Sequence, residues 1–540
     1  MSEVKIIPTR IVHPQGPLPR GTDDFGEAMK AGCCLVDKSL FIREVLHNND
    51  RVALITRPRR FGKTTNLSML KHFFEHSPSH PSSQQTPLGG QQSAQREPAQ
   101  KEPAQQQRMQ CLFAELLIAQ DEQAMQHQGR YPVIALTFKN VKASTWEQAY
   151  SDVCDVLYEE IQRHPESREW RIGDFEHMHG HIWPRILDRT ATISDWKNAL
   201  KLLCKLLTLH HKQSPWLLLD EYDAPIHKAY VQSQHNKENL QAPDSYYDQA
   251  VSFMRGLLGA ALKGNDTFLH KAVITGILRV AKEDIFSDLN NLGVYGVMDW
   301  KFDNCFGFTS CEVQQLFQQR GIQKHLQPAQ QWYDGYQLGR QEMYNPWSIV
   351  SFACNLPQPP QEYWVNTGST SLIEHLVDAS NTWDKQAIET LLLGQSIERD
   401  VADNLPLREL QKFSESLWSV MLTSGYVTAV DTIQGVLGKQ ATLRVPNQEI
   451  HIAFQRMAKR WFNTIENNSC PLMLQALLGG DTDGFAKHLN QLITCTLSFF
   501  DLATPQSERS YHLFILGLLS HLSGNYKVRS NRESGLGRPD

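Results

Sequence analysis

Four short runs of consecutive apolar residues punctuate the first half of the chain: VALIT at 52–56, VIALTF at 133–138, WLLLD at 216–220 and AVITGIL at 272–278. Each is apolar without alternation, which suits a strand covered on both faces, as in a parallel sheet between helical layers. Between the runs the period changes. Leu200, Leu203, Leu206 and Leu207 fall on one face of a helix leading to the third strand, with Lys201 and Lys205 elsewhere. This alternation predicts an α/β domain over residues 46–285, preceded by an N-terminal extension over residues 1–45.

Past residue 300 the strand signals thin out. VQQLFQQR, WSIVSFACNL and LRELQKFSESLWSVMLTSGYV have helical spacing with brief extended pieces, so residues 286–465 are expected to form one or two mostly helical accessory domains. From about residue 470 a helical region leads to YKVRSNRESGLGRPD, read as the start of another α/β unit spanning 470–540. The sharpest break is at 77–108, SPSHPSSQQTPLGGQQSAQREPAQKEPAQQQR, with its tandem REPAQ-KEPAQ. So little apolar surface cannot offset the entropy of ordering, which predicts a disordered insertion in a loop.

The candidate chemistry begins where VALIT runs into RPRRFGKTTNLSMLKHFF. Gly-Lys-Thr-Thr then sits at a strand-to-helix turn, the context of a phosphate-binding loop formed by Arg60, Phe61, Gly62, Lys63, Thr64 and Thr65. Backbone N–H groups at a helix start favour anions, Lys63 can neutralise β- and γ-phosphates, and the Thr64 hydroxyl can ligate Mg²⁺. The full pattern G-x-x-x-x-G-K-[ST] would place a glycine at position 57, where Arg57 stands. Taken alone, the motif could be a basic turn capping a surface helix. LLLDEYD supplies the second element, an apolar strand ending in Asp220 and Glu221 at the edge where open α/β sheets bind ligands. There Asp220 would hold Mg²⁺ through water and Glu221 would polarise the attacking water. In VITGILRVAKE, Thr275 at a strand tip could orient that water, and Arg279 could offset charge on the phosphoryl oxygens; each could equally brace the sheet edge. Asp223 would join the metal shell or form a surface turn.

Other clusters have plainer readings. His177, His179 and His181 in HMHGH would face a metal together if they lay on a strand, but a solvated polar loop also explains them. His210 and His211 suit the C-terminal end of a helix. Tyr333, Asp334, Gly335 and Tyr336, with Asn345, Pro346 and Trp347, could stack on bases, and pack equally well as a core.

Composition narrows the classes. With 540 residues, roughly two to four domains are expected. Lys and Arg number 53 against 58 Asp and Glu, so any DNA contact would rest on a local patch. The ten cysteines include no C-x-x-C pair, which excludes a zinc ribbon and a disulfide framework. The start MSEVKIIPTR lacks the apolar core of a signal peptide, and no run of about 18 apolar residues occurs, so no membrane association and a place in the reducing cytoplasm are expected.

Beyond these elements, the chain resembles the AAA-ATPase-like proteins of bacteria and archaea that carry a C-terminal PD-(D/E)XK nuclease-like domain. The likeness runs in order through LVDKSLFI, TRPRRFGKTTNLSML, QGRYPVIALTFK, LLLDEYDAPI, VITGILRVAKEDIFSDLNNLGVYGV, FGFTSCEV, QWYDGYQLGRQEMYNPWSIVSF, YWVNTGS, LTSGYVT, LRVPNQEI and YKVRSNRESGLGRPD. It implies a P-loop NTPase fold, an ATP site on Gly62, Lys63, Thr64, Asp220 and Glu221, arginine as the ordinary residue at 57, and nucleotide-driven action linked to DNA or mobile elements. The insertion at 77–108 departs from the family pattern.

A nuclease of that type needs an Asp on one strand and Glu-x-Lys on the next around Mg²⁺. Asp540 and Glu533, with Glu508 upstream, are the candidates, but Asp540 is the last residue of the sequence and no Glu-x-Lys strand follows. The site is therefore expected to be vestigial, without nuclease activity of its own, with residues from about 505 onward poorly ordered or packed irregularly and a chain either truncated or completed by another. Three functions stay open: an ATPase driving a conformational switch, a non-hydrolysing nucleotide-binding scaffold, and an ATPase gating a completed nuclease, any of them as a homo-oligomer. Deleting residues 77–108 is expected to leave the melting temperature nearly unchanged; a fall of several degrees in a thermal melt would mean that the segment packs on the α/β domain.

Overall fold

The computed structural model describes residues 8–76, 112–236, 245–278, 286, 291–364, 373, 376–377, 382–402, 410, 414–434, 439–463 and 469–496. The insertion at 77–108, Arg279, and Glu508, Glu533 and Asp540 at the C-terminal end lie outside the described residues. The chain forms two compact units, one of residues 1–381 with 397–447 and the other of residues 382–396 with 448–540.

In the first unit a short antiparallel pair, β1 (Ile11–Val12) and β2 (Leu35–Val36), precedes a five-stranded parallel sheet. Its strands are β3 (Val52–Thr56), β4 (Val133–Thr137), β5 (Trp216–Asp220), β6 (Lys271–Gly276) and β7 (Leu292–Tyr295), arranged β4-β5-β6-β3-β7. The four apolar runs thus become parallel strands, and β3 and β5 are buried throughout. This order places β6 between β3 and β5, so Thr275 emerges between the glycine-lysine loop and the acidic strand end. Helix Ile193–His211 opens with a capping box of Thr192 and Asp195 and buries Leu200, Leu203, Leu206 and Leu207. It packs against helix Tyr246–Leu262 beside the sheet. The fifth strand, β7, lies beyond the expected limit at residue 285. It is a half-buried edge strand interrupted by Gly293, so its apolar signal is weak.

Two readings of histidine are now decided. His210 and His211 end their helix, where His211 Nε2 lies 2.9 Å from Glu166 Oε1 and His210 Nε2 lies 3.0 Å from the Glu169 carbonyl. HMHGH is not a strand. His177 and His179 fall in the last turn of helix Gly173–His179, where residues two apart point to different sides, and His179 Nε2 is 3.2 Å from Lys205 Nζ. Among the described residues no group of three His, Cys, Asp or Glu side chains is placed to hold a metal ion, and no helix is long and apolar enough to cross a membrane.

The stretch 286–465, expected to be mostly helical, also carries two three-stranded antiparallel sheets. These are β8 (Phe308–Thr309), β9 (Tyr336–Leu338) and β10 (Gln341–Tyr344) in the order β8-β10-β9, and β11 (Ile397–Val401), β12 (Thr428–Gln434) and β13 (Lys439–Arg444) in the order β11-β13-β12. The first set is too short to show a period of two, and a register shift between Ala429 and Asp431 breaks the alternation of β12. The expected helices do form, at Ser310–Gln319, Pro346–Asn355 and Ser414–Ser424. The aromatic cluster is core: Tyr333 and Tyr344 pack with Phe317, Ile349 and Phe352, and Tyr336 is buried. In the second unit, helices Ser469–Gly479 and Thr482–Thr496 pack together, and helix Thr382–Leu392 meets Gln448–Asn463. Of the nuclease-like stretch, the described residues hold those two helices and no strand.

One residue ties the sheet to the loop that leaves β3. Arg57 is fully buried, and its guanidinium donates to the carbonyl oxygens of Thr56 (2.8 Å), Tyr295 (3.1 Å), Gly296 (2.7 Å), Lys301 (3.3 Å) and Phe302 (3.0 Å). Its carbon also lies 5.5 Å from the ring centre of Phe306. Burial draws the Arg57 pKa down to about 10, against the pull of Cys305, Asp299 and Asp303. The side chain therefore fills the space beneath the loop with a charge that needs all those carbonyls. Restoring the motif glycine with Arg57→Gly is expected to destabilise the protein by about 3 kcal/mol, because it leaves a void and several buried carbonyls without a donor. An unchanged midpoint in urea unfolding would show that the guanidinium is dispensable.

Candidate functional site

The loop between β3 and helix Lys63–Phe74 reverses through two left-handed residues, Arg60 at φ 67° and Gly62 at φ 82°. Gly62 is the residue just before the helix, and no side chain caps the first turn. At that position the left-handed backbone favours glycine. The loop is gripped from outside. Asn345 Nδ2 and Trp364 Nε1 both donate to the Arg59 carbonyl, at 3.2 and 3.3 Å. Gly307 N–H donates to the Phe61 carbonyl at 3.2 Å, and the Phe61 ring meets Tyr336 edge-on at 5.1 Å. Asn66 Nδ2 donates to the Cys305 carbonyl at 2.9 Å, one turn into the helix.

Lys63 is buried and turned back under its own loop, donating to the carbonyls of Arg57 (2.9 Å) and Pro58 (2.8 Å). Burial pushes its pKa down, and the carboxylates of Asp220, Glu221 and Asp223 push the other way. Asp220, at the end of β5, is held by hydroxyls on both oxygens. Thr64 Oγ1 donates to Oδ2 and Thr275 Oγ1 to Oδ1, each at 2.6 Å, and the Glu221 N–H adds a 3.1 Å bond to Oδ1. Thr275, itself fully buried, thus binds Asp220.

Glu221 turns the chain sharply at φ 49°. Burial raises its pKa, Asp220 and Asp223 raise it further, and Lys63 and Arg59 oppose the rise. Asp223 is buried, not a surface turn: its Oδ2 accepts the N–H groups of Ile277 (3.0 Å) and Leu278 (2.8 Å), which anchors the segment after β6. Burial raises its pKa against those two bonds. The Tyr222 hydroxyl donates to the Leu278 carbonyl at 2.9 Å and closes the same corner.

Lys63, Thr64, Glu221 and Asp223 line a cavity of about 770 Å³. Arg59, Arg60, Lys139, Lys142 and Lys228 line it beside Lys63, which makes it suited to a polyanion. Arg60 is committed to one wall, its guanidinium carbon 3.9 Å from the ring centre of Trp347. His227 lines the other side, its pKa lowered to about 4 by burial and by Arg59 and Lys228, so it is neutral at pH 7. The Thr64 hydroxyl and the Asp220 carboxylate bring protein oxygens together at the start of the loop helix. Such a pair suits Mg²⁺ completed by phosphate and water oxygens.

The structure therefore brings Gly62, Lys63, Thr64, Asp220, Glu221 and Thr275 to one place, with Arg60, Phe61 and Thr65 on the cavity wall. Inspection of the sequence missed the buried role of Arg57 and the loop supports Asn345 and Trp364. For Arg57 there was a signal, a charged residue directly after a fully apolar strand; for the other two there was none.

A curated relative, the "Uncharacterized protein in vnfD 5'region" of Azotobacter chroococcum mcd 1, is 26% identical over 238 residues. That match covers 43% of this chain and 40% of the relative, so the chain spans less than half the length of the relative it matches. No solved structure matches the chain. Residues 19–86 and 101–286 match the family described as Predicted AAA-ATPase, a match that ends before the stretch read as nuclease-like. From the extension before β3 to the segment beyond Thr275, the chain is similar to the AAA-ATPase-like family.

Proposed function

We propose that this chain binds ATP with Mg²⁺ and hydrolyses it to drive a conformational switch. The observation that carries the reading is the doubly held Asp220, which joins the loop threonine to the strand-tip threonine next to Glu221, while Lys63, Thr64 and Glu221 line a basic cavity. Lys63 would exchange its two carbonyl partners for β- and γ-phosphate oxygens, a move that offsets the burial of its charge. The first-turn N–H groups after Gly62 would meet the same phosphates. Mg²⁺, when bound, would neutralise phosphate charge, and Thr64 and Asp220 are the residues that would hold it.

Glu221 would orient a water for attack on the γ-phosphorus and take its proton as the bond to the ADP oxygen breaks. Its burial near Lys63 suits a base whose proton affinity is raised. The switch would run through the loop's outer supports, because any shift of Arg59 or Phe61 is felt at Asn345, Trp364 and Tyr336. Hydrolysis measured with and without DNA separates a DNA-linked role from a purely protein-directed one.

Lys63→Ala is expected to abolish ATP binding in calorimetry with the fold retained by circular dichroism; unchanged affinity would remove Lys63 from the site. Glu221→Gln is expected to keep ATP binding and to lose hydrolysis by about a hundredfold or more. Turnover at the wild-type rate in that variant would place the base elsewhere and favour a nucleotide-binding scaffold.

A further inference from the structure

We propose that the corner at Ser424, Gly425 and Tyr426 reads whether the glycine-lysine loop holds phosphate, through a direct contact with Pro58, and passes that state to the antiparallel sheet β11-β13-β12. The inference rests on the phosphate-binding reading above and assigns a regulatory output to that site.

Pro58 is held from two sides. From the cavity side, Lys63 Nζ donates to its carbonyl at 2.8 Å. From the other side, helix Ser414–Ser424 ends against it on Gly425, whose backbone is left-handed at φ 87°. The Tyr426 N–H donates to the Met421 carbonyl at 2.8 Å and the Gly425 N–H to the Leu422 carbonyl at 3.1 Å, a pairing that turns the chain sharply out of the helix. A Cβ at Gly425 would stand 3.0 Å from Pro58 Cβ and 3.4 Å from the Tyr336 ring. The turn and the neighbour therefore both require glycine. The residues on either side of it, Ser424 and Tyr426, line the same cavity as Lys63 and Glu221. The Tyr426 ring also meets Trp364 at 5.0 Å, and Trp364 holds the Arg59 carbonyl.

The corner leads straight into a strand. β12 starts at Thr428, where Thr428 Oγ1 accepts the Gln337 N–H at 2.7 Å, and it pairs with β13 from Thr428 opposite Arg444 to Gln434 opposite Lys439. Its first two residues are buried and the rest are exposed, Val430 and Ile433 among them. One end of β12 thus lies against the loop and the other in water.

The element with two arrangements is the Lys63 ammonium. In the empty site it binds the carbonyls of Arg57 and Pro58; with a polyphosphate in place it turns to phosphate oxygens and the Pro58 carbonyl loses its donor. A change of partner at one end of a packed contact is felt at the other, because close-packed side chains transmit a shift instead of absorbing it. The corner then loses its firm backing, and β12 with it. By linkage, pressure applied at Gly425 must alter phosphate affinity in return.

The test is hydrogen exchange read by mass spectrometry over residues 424–444, together with calorimetry. ATPγS with Mg²⁺, and inorganic tripolyphosphate as well, are expected to speed exchange there by about fivefold or more. Lys63→Ala without any ligand should show the same faster exchange, because it too leaves the Pro58 carbonyl without its donor. Gly425→Ala is expected to weaken ATPγS binding by about tenfold. Gly394→Ala is the control for strain: Gly394 also ends a helix with a left-handed backbone, at φ 75°, but a Cβ there meets nothing within 4 Å. It should leave ATPγS affinity unchanged. Adding Pro58→Gly to Gly425→Ala, which removes the carbon that the new methyl meets, should recover part of the affinity. Bound ATPγS with unchanged exchange at the corner would overturn the proposal, as would a loss of affinity in Gly425→Ala no larger than in Gly394→Ala. If the wild type binds neither ATPγS nor tripolyphosphate, the nucleotide reading falls, and exchange in ligand-free Lys63→Ala alone then decides for or against the contact through Pro58.

Discussion

A full positive charge sealed under the glycine-lysine loop, and carried by backbone carbonyls, sets the terms for the rest of this molecule. Taking a guanidinium out of water costs several kcal/mol, and a hydrogen bond to a charged group returns about 1.5–3 kcal/mol. One or two carbonyls would not hold Arg57 in place; the five it reaches come from the end of β3, the end of β7 and the turn at Lys301 and Phe302. The loop can therefore adopt its path only once β7 has paired with β3 and the turn beyond it has folded. A site that reads as local in sequence depends on chain more than 230 residues away, the separation between Arg57 and Tyr295 being 238.

The charges on the cavity side are held in tension of another kind. Lys63 is buried with its pKa depressed, while Glu221 and Asp223 are buried with theirs raised, so cation and carboxylates alike sit where water would stabilise them better. Asp220, between them, accepts two hydroxyls and an N–H. Groups shifted from their ordinary titration by burial and by one another, on the wall of a single cavity, are what a site for a charged ligand requires. A polyphosphate with its counter-ion would supply the charge balance that the protein alone leaves incomplete.

How much of this was legible depended on how local each signal is. The strands of the sheet were, because a strand buried on both faces is written as an unbroken apolar run, and the limits of VALIT and WLLLD coincide with β3 and β5. The cluster of Lys63, Thr64, Asp220 and Glu221 was readable because a strand followed by a polar turn is a local pattern. β7 escaped notice as a half-exposed edge with a glycine inside it, and β8, β9 and β10 are too short to display alternation. The two-residue spacing in HMHGH would mean one face only on a strand, and His177 and His179 lie in a helix instead. Trp364 and Asn345 act on Arg59 from 305 and 286 residues away, and no pattern in one sequence announces such a contact.

Asn345 has a consequence of its own. Its side-chain oxygen accepts the N–H groups of Trp347 and Ser348 and so begins helix Pro346–Asn355, while its amide nitrogen reaches the Arg59 carbonyl. Fully buried, it has no water to stand in for either partner. Aspartate would start the helix as well but has no proton to give, so the usual interchange of helix-starting residues is closed at this position. The helix and the glycine-lysine loop share one amide group as a common hinge pin, and a chain that drifts at residue 345 loosens both together.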